Sequence, residues 1–201
     1  MNNTFEKVCI VGLGLIGGSI GLAIKRSNIS NQITGYARSN STLERAIELG
    51  LVDSVKDNLK DAVNNSDLVI LATPLSTFRE LVEEMSPFLK KGCIITDTGS
   101  AKLTVIEDLK DILPNGVEFV PGHPIAGTEE SGPDAGFAEL FDNRWCILTP
   151  TEDNSSNAVD LVKDFWESIG SKVEIMDPMH HDKVLAITSH IPHLIAFNSV
   201  G

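Results

Sequence analysis

Two patterns of apolar residues alternate along the chain. Unbroken apolar runs such as residues 8–11 and 67–72 are typical of strands buried on both faces of a parallel sheet. Stretches such as residues 78–89 place apolar side chains at helical spacing instead. The same patterns predict strands over residues 32–37, 93–96, 118–120, 145–148 and 172–175, and helices over 15–25, 43–49, 57–64, 101–113, 155–169 and from Asp177 to the end. Because strands and helices alternate, we predict an α/β fold, a Rossmann-type doubly wound sheet that is mostly parallel.

A glycine-rich turn joins the first predicted strand to the first predicted helix. Gly12, Gly14 and Gly17 follow the spacing G-x-G-x-x-G, and Leu15 and Ile16 open the helix. In such a turn the first glycine permits the sharp bend, the second lets a pyrophosphate approach the backbone, and the third lets the helix pack closely on the strand. The N–H groups at the start of the helix favour the phosphates. We therefore predict a dinucleotide site here.

Small and polar residues collect at the ends of the later predicted strands, where open α/β sheets bind their ligands. Thr73 and Pro74 follow the strand over residues 67–72, and Asp97 follows the strand over residues 93–96. We expect these three residues to contact the cofactor.

The end of the second strand bears on the choice of nucleotide. NAD sites usually place an acidic residue there, on the ribose 2′-hydroxyl. This chain has Ala37, followed by Arg38 and Ser39, which can pair with a 2′-phosphate. We favour NADP. NAD stays open, because Arg38 can instead stack on the adenine of either cofactor.

His123 is the main candidate for a catalytic base. It lies between Gly122 and Pro124 at the start of a Gly- and Pro-rich stretch, residues 121–143, which we predict to be a functional loop. Histidine is the usual general base near neutral pH. Ser100, at a neighbouring strand end, is expected to hydrogen-bond one ring nitrogen and set the tautomer. The alternative is that His123 is a structural loop residue.

His190 and His193 are three residues apart on one face of the last predicted helix. Their surroundings are apolar. A metal would need a further ligand such as His180 or His181, so we expect no metal site. Binding of an anionic substrate is favoured over a role in the core or in an interface.

Charge and cysteine content limit the possible partners. The chain has 201 residues and a formal net charge of -12, which argues against nucleic acid or an anionic membrane surface as a partner. A small anionic substrate remains compatible with local cations. We expect the three widely spaced cysteines to be buried and unpaired. With no signal pattern and no apolar run of about 18 residues, this favours a cytoplasmic protein.

Four segments resemble one enzyme family in order and spacing. They are residues 11–19, 97–102, 122–129 and 189–193, and the family is the prephenate/arogenate (cyclohexadienyl) dehydrogenases of tyrosine biosynthesis. The resemblance implies NAD(P)-dependent oxidative decarboxylation of a cyclohexadiene. In it, His123 accepts or polarises the hydroxyl proton, Ser100 orients His123, and Thr128, His190 and His193 line the substrate site.

The resemblance also implies a second domain. We expect residues 1–176 to form the dinucleotide-binding domain and residues 177–201 the first helix of a largely missing all-helical dimerisation domain. On this view the full-length protein is a homodimer, and the 201-residue chain alone lacks the arginine that grips the substrate carboxylate and is not a complete enzyme. Residues after about His193 are expected to be mobile or rearranged.

Two alternatives to this family remain at this point. One is another NAD(P)-dependent enzyme of similar build, of the pyrroline-carboxylate reductase or β-hydroxyacid dehydrogenase type. The other is a nucleotide-sensing domain without catalysis. The choice between prephenate and arogenate is left open by the sequence.

Overall fold

A six-stranded parallel sheet forms the centre of the computed structural model, which describes residues 4–187. The strands run in the spatial order β3-β2-β1-β4-β5-β6. This order reverses direction between β1 and β4, which is the doubly wound arrangement. The strands are β1 (Phe5–Val11), β2 (Ser30–Tyr36), β3 (Ser54–Lys56), β4 (Leu68–Leu71), β5 (Ile94–Asp97) and β6 (Glu118–Val120). The predicted fold class is confirmed.

Helices cover both faces of this sheet. They are α1 (Leu15–Ser27), α2 (Asn40–Glu48), α3 (Leu59–Val63), α4 (Phe78–Met85), α5 (Leu103–Leu109), α6 (Ser156–Ser168) and α7 (Pro178–Leu185). Val8 and Ile10 of β1 belong to one buried apolar cluster, with residues of α1 and α6, whereas Cys9 and Val11 belong to a second cluster, with residues of α3, α4 and α5. Because successive strand residues face opposite helix layers, both must be apolar, which accounts for the unbroken apolar runs.

A second, three-stranded sheet follows the first. Its strands β7 (Gly122–Pro124), β8 (Trp145–Leu148) and β9 (Lys172–Ile175) lie in chain order, with β7 antiparallel and β9 parallel to β8. This corrects the prediction of a loop over residues 121–143, because its first part is a strand in which His123 pairs with Ile147. The sequence of this segment lacks the alternation of apolar and polar residues that predicts a strand. It is a strand because it pairs with β8. Pro124 is tolerated because β7 lies at the edge of its sheet.

The last predicted helix begins where expected. Asp177 caps α7, accepting a hydrogen bond from the His180 N–H at 2.9 Å. The expectations for His190, His193 and the end of the chain fall outside the described residues. Within residues 4–187 no helix is long and apolar enough to cross a membrane.

Candidate functional site

The three glycines of the first turn have the distinct surroundings that the motif predicts. Gly12 has a φ of +103°, and a Cβ there would lie 2.5 Å from the carbonyl oxygen of Ala72. A Cβ on Gly17 would overlap the carbonyl oxygen of Gly12, so this glycine lets α1 pack against the turn. A Cβ on Gly14 would meet no atom within 4 Å. The space beside Gly14 is therefore open, as a bound pyrophosphate requires.

The first turn of α1 is suited to an anion. Gly14 is the N-cap, no side chain caps the helix, and its first turn carries no acidic residue. The first N–H groups of a helix lack intrahelical partners, here those of Leu15, Ile16 and Gly17, and carry the positive end of the helix dipole. These residues fit the diphosphate of a dinucleotide.

A cavity of about 130 Å³ lies beside the glycine turn, at the ends of β2 and β4. It brings together five residues singled out from the sequence: Gly12, Ala37, Arg38, Thr73 and Pro74. Ser39 lies next to Arg38, is exposed, and has its hydroxyl 2.6 Å from that of Ser41. This is where the adenosine end of a dinucleotide would lie in a Rossmann-type fold.

Sequence reasoning missed two acidic residues of this cavity. Glu80 and Glu84, one turn apart on α4, line it together with Arg38. Burial and the Glu84 carboxylate both raise the pKa of Tyr36, whereas Arg38 opposes them. The field at this end of the site is therefore mixed in sign.

A fully buried ion pair stands behind the site. The Lys102 ammonium group bonds to the Asp97 carboxylate and, at 2.7 Å, to the carbonyl oxygen of Gly122. Asp97 also accepts a hydrogen bond from the Gly122 N–H at 3.0 Å. The Asp97 carboxylate is therefore buried and engaged with Lys102, and contact between Asp97 and the cofactor stays a prediction. The pair ties the end of β5 to the residue before His123.

His123 lines a second, larger cleft of about 720 Å³. Thr128 lines the same cleft, so these two predicted site residues are brought together. Phe137, also in the lining, donates its backbone N–H to the Ser19 hydroxyl of α1 at 3.1 Å. The cleft is thus adjacent to the helix that begins at the glycine turn. Its other lining residues are Pro124, Ile125, Ala126, Gly127, Glu139, Leu140, Asp142, Arg144 and Leu185.

A chain of hydrogen bonds runs from His123 into α7. Nδ1 of His123 lies 2.9 Å from Nε2 of His181, and Nδ1 of His181 lies 2.8 Å from a carboxylate oxygen of Asp182. The sequence analysis expected Ser100 to contact the His123 ring. Ser100 is instead exposed and its hydroxyl makes no hydrogen bond among the described residues. The catalytic role assigned to Ser100 stays a prediction.

Asp182 is held in place by backbone donors. Its two carboxylate oxygens accept from the N–H groups of Lys102, at 2.9 Å, and Leu103, at 3.0 Å, at the start of α5. Burial alone would raise the pKa of Asp182, but these bonds and that from His181 outweigh it, so the pKa lies below its ordinary value. Burial lowers the pKa of His181, against the opposing effect of Asp182. A neutral His181 beside an ionised Asp182 follows.

Residues 4–187 contain no group of three or more His, Cys, Asp or Glu that could hold a metal ion. The three cysteines are free and buried, as predicted.

The fold and the glycine turn define a Rossmann-type dinucleotide-binding domain with a second, histidine-lined cleft beside it. A family model described as prephenate dehydrogenase, nucleotide-binding domain, matches residues 20–175, well over half of the chain. The chain belongs to this family, and the resemblance drawn from the sequence is confirmed.

Individual relatives agree with the family. Cyclohexadienyl dehydrogenase of Zymomonas mobilis is 46% identical over 197 residues, covering 98% of this chain and 67% of that protein. Prephenate dehydrogenase of Bacillus subtilis is 35% identical over 201 residues, covering 100% of this chain and 54% of that protein. The chain thus spans about half to two thirds of the length of these curated relatives.

One solved structure is similar along almost the whole chain. Prephenate dehydrogenase from Aquifex aeolicus, in complex with hydroxyphenyl propionate and NAD+, matches with a TM-score of 0.90 and 38% identity. The match covers 97% of this chain and 68% of that one.

Proposed function

We propose that the protein containing this chain catalyses the NAD(P)-dependent oxidative decarboxylation of prephenate, arogenate or both, in tyrosine biosynthesis. The observation that carries the proposal is the place of His123. It lines a cleft that borders α1, the helix whose start fits a dinucleotide diphosphate. A base next to a nicotinamide site is the minimum that oxidation of an alcohol requires.

The residues of this chain would act mainly on the hydroxyl proton. When bound, the nicotinamide supplies the hydride acceptor for the ring carbon that bears the 4-hydroxyl. As that carbon takes on carbonyl character, His123 accepts the hydroxyl proton. When the ring carboxylate leaves as CO₂, the electron pair of the broken C–C bond passes through the ring to the carbonyl oxygen, which takes the proton back from His123. The product ring is aromatic, which makes the reaction strongly downhill. The β7 backbone, fixed by Lys102 through the carbonyl of Gly122, holds His123 in place.

The charge of the cleft is mixed, because Glu139 and Asp142 line it beside a single cation; both acids lie within salt-bridge distance of Arg26. Among its described lining residues Arg144 is the one arginine or lysine. Thr128 is exposed in the lining and stays a candidate for substrate contact, as do His190 and His193.

The function is tested by following reduction of NADP+ and NAD+ with prephenate and with arogenate. The assay uses the longest form of the protein that its gene encodes, beside the 201-residue chain. We expect turnover by the longer form, with the preferred substrate and cofactor read from the same traces. Tight nucleotide binding without turnover on either substrate would contradict the proposal and favour a nucleotide-sensing domain.

We propose NADP as the preferred cofactor, with Ala37 and Arg38 as the residues responsible. Arg38 lines the nucleotide cavity without a nearby acid on its own strand end, although Glu80 and Glu84 oppose its charge. Replacing Arg38 with Ala should weaken NADP+ more than NAD+, and Ala37→Asp should lower the ratio of NADP+ to NAD+ affinity further. Arg79→Ala, an exposed arginine paired with Glu83, is the matched control. Equal effects on both nucleotides would refute the assignment.

We further infer a cytoplasmic homodimer in which residues 177–201 begin a helical dimerisation domain. Three buried free thiols fit a reducing compartment, and membership of the family supports the dimer. Light scattering on the longest form should give twice the chain mass. A monomer at micromolar concentration would refute the dimer.

A further inference from the structure

Two buried histidines and a half-buried carboxylate form one series of hydrogen bonds behind the cleft. This series of hydrogen bonds joins β7 to α7, across 58 residues of sequence, and ends at two backbone N–H groups at the start of α5. His181 is fully buried. Lys102 belongs to the same network, because its backbone N–H bonds to Asp182 and its side chain to the carbonyl of Gly122.

The carboxylate determines which nitrogen donates in each hydrogen bond of this series. An ionised carboxylate only accepts hydrogen bonds, so Nδ1 of His181 must carry its proton and donate it to Asp182. A neutral His181 then has an unprotonated Nε2, which can only accept. The bond at 2.9 Å therefore requires that Nδ1 of His123 carries a proton. In neutral His123 the lone pair is left on Nε2.

We propose that His181 and Asp182 are positioning residues that fix the tautomer of His123 and make its Nε2 the basic nitrogen. The proposal rests on the proposed function for its catalytic meaning, since a base must present a lone pair. It assigns to His181 the task that the sequence led us to expect of Ser100. A hydroxyl both donates and accepts, so a serine cannot impose one tautomer, whereas a carboxylate can.

The same series of hydrogen bonds stabilises His123 once it has taken a proton. The imidazolium would donate through Nδ1 to His181, whose own dipole is oriented by Asp182. No proton needs to leave His123 through His181, because the proton gained at Nε2 can return by the same atom. Removing His181 should therefore lower kcat with little change in KM, since neither His181 nor Asp182 is among the residues that line the cleft.

The tautomer can be measured directly in the 201-residue chain. Long-range ¹H–¹⁵N correlation spectra, recorded above the ordinary histidine pKa of about 6.5, distinguish protonated from unprotonated ring nitrogens. For both His123 and His181 we expect a protonated Nδ1 and an unprotonated Nε2. His123→Asn and His181→Gln assign the signals. His180→Gln, an exposed neighbour on the same helix, is the matched control and should change neither ring.

Two substitutions separate positioning from packing. His181→Phe removes the acceptor but keeps the ring volume, and His123 should lose its fixed tautomer. His181→Gln places an amide oxygen near the position of Nε2 and should restore it in part. In the longest form, kcat of His181→Phe should fall roughly 10- to 150-fold, the loss expected for one hydrogen bond to a charged group, and His181→Gln should recover part of it.

The outcomes distinguish this inference from the proposed function. Nε2–H on His123 in the unmodified chain would overturn the inference, whatever the activity. An unchanged tautomer and kcat in His181→Phe would also overturn it. The expected tautomer without turnover on prephenate or arogenate would leave the inference standing and refute the proposed function.

Discussion

Gly14 and Gly17 lie three residues apart, yet alanine should have opposite effects at the two positions. Gly14 has φ −81° and ψ −160°, which any residue adopts, and open space where a Cβ would go. Alanine there should stabilise the fold by about 0.4–1 kcal/mol, because it lowers the conformational entropy of the unfolded chain. This should raise Tm by about 1–4 °C. Its methyl group would occupy the space that the pyrophosphate needs.

At Gly17 the methyl group would overlap the Gly12 carbonyl oxygen. Both sides of that contact are backbone, so α1 must move. The strain should exceed the gain of about 1 kcal/mol in helix propensity, leaving a net loss of about 1–2 kcal/mol. We expect Tm to fall by about 2–8 °C.

Thermal unfolding without nucleotide and calorimetric titration with NADP+ and NAD+ test the pair. Gly14→Ala should bind nucleotide roughly 10- to 150-fold more weakly, the loss of one backbone hydrogen bond to a charged group, despite its higher Tm. The reasoning would be refuted if Gly14→Ala lowered Tm and left nucleotide binding at the wild-type level.

Three further predictions concern ionisable side chains. Lys102→Met leaves the Asp97 carboxylate buried and unpaired, so unfolding should cost about 3–5 kcal/mol less; a Tm within a degree of wild type would contradict this. Burial alone would raise the pKa of Asp67. Hydrogen bonds from Lys90 and from two backbone N–H groups outweigh this effect, so the pKa lies below its ordinary value. The stabilisation by Asp67 should therefore be present above about pH 4 and be lost at lower pH, so that the Tm difference between wild type and Asp67→Asn shrinks on acidification. Asp164→Asn, which changes an exposed aspartate of α6, is the control. Burial raises the pKa of the Cys9 and Cys93 thiols to about 12 and also raises that of Cys146. A thiol reagent should therefore label these cysteines only after denaturant is added. Rapid labelling of the native protein would contradict their burial.

The dinucleotide half of the site could be predicted because its signals are local. The glycine spacing, the strand before it and the helix after it lie within a few residues, and each glycine has the surroundings that its place in the motif requires. Arg38, Thr73 and Pro74 could be placed because parallel strands end at one edge of the sheet.

The surroundings of His123 could be predicted only in part, because their contacts join distant segments. His123 was singled out from the sequence, but its strand pairing depends on β8 and its ring partner lies 58 residues away. The buried pairing of Asp97 with Lys102 was missed for a related reason. A strand-end aspartate and a lysine look like surface residues until the second sheet covers them.

One signal for the hydrogen bonds from His123 to Asp182 was present in the sequence. His181 and Asp182 are adjacent, and Asp177-Pro178 correctly marked the start of their helix. A histidine next to an aspartate was considered only as a source of metal ligands. The fold gives the pair another use, because α7 places Asp182 on the first N–H groups of α5.

The most direct test of the account is the kcat of His123→Asn in the longest form of the protein, with prephenate and arogenate at saturating nucleotide. Asparagine keeps a polar side chain of similar size but has no basic nitrogen. We predict that kcat falls by roughly 10²–10⁴, while the affinity for NADP+ and NAD+ is unchanged. A kcat within a few-fold of wild type would show that His123 is not the base.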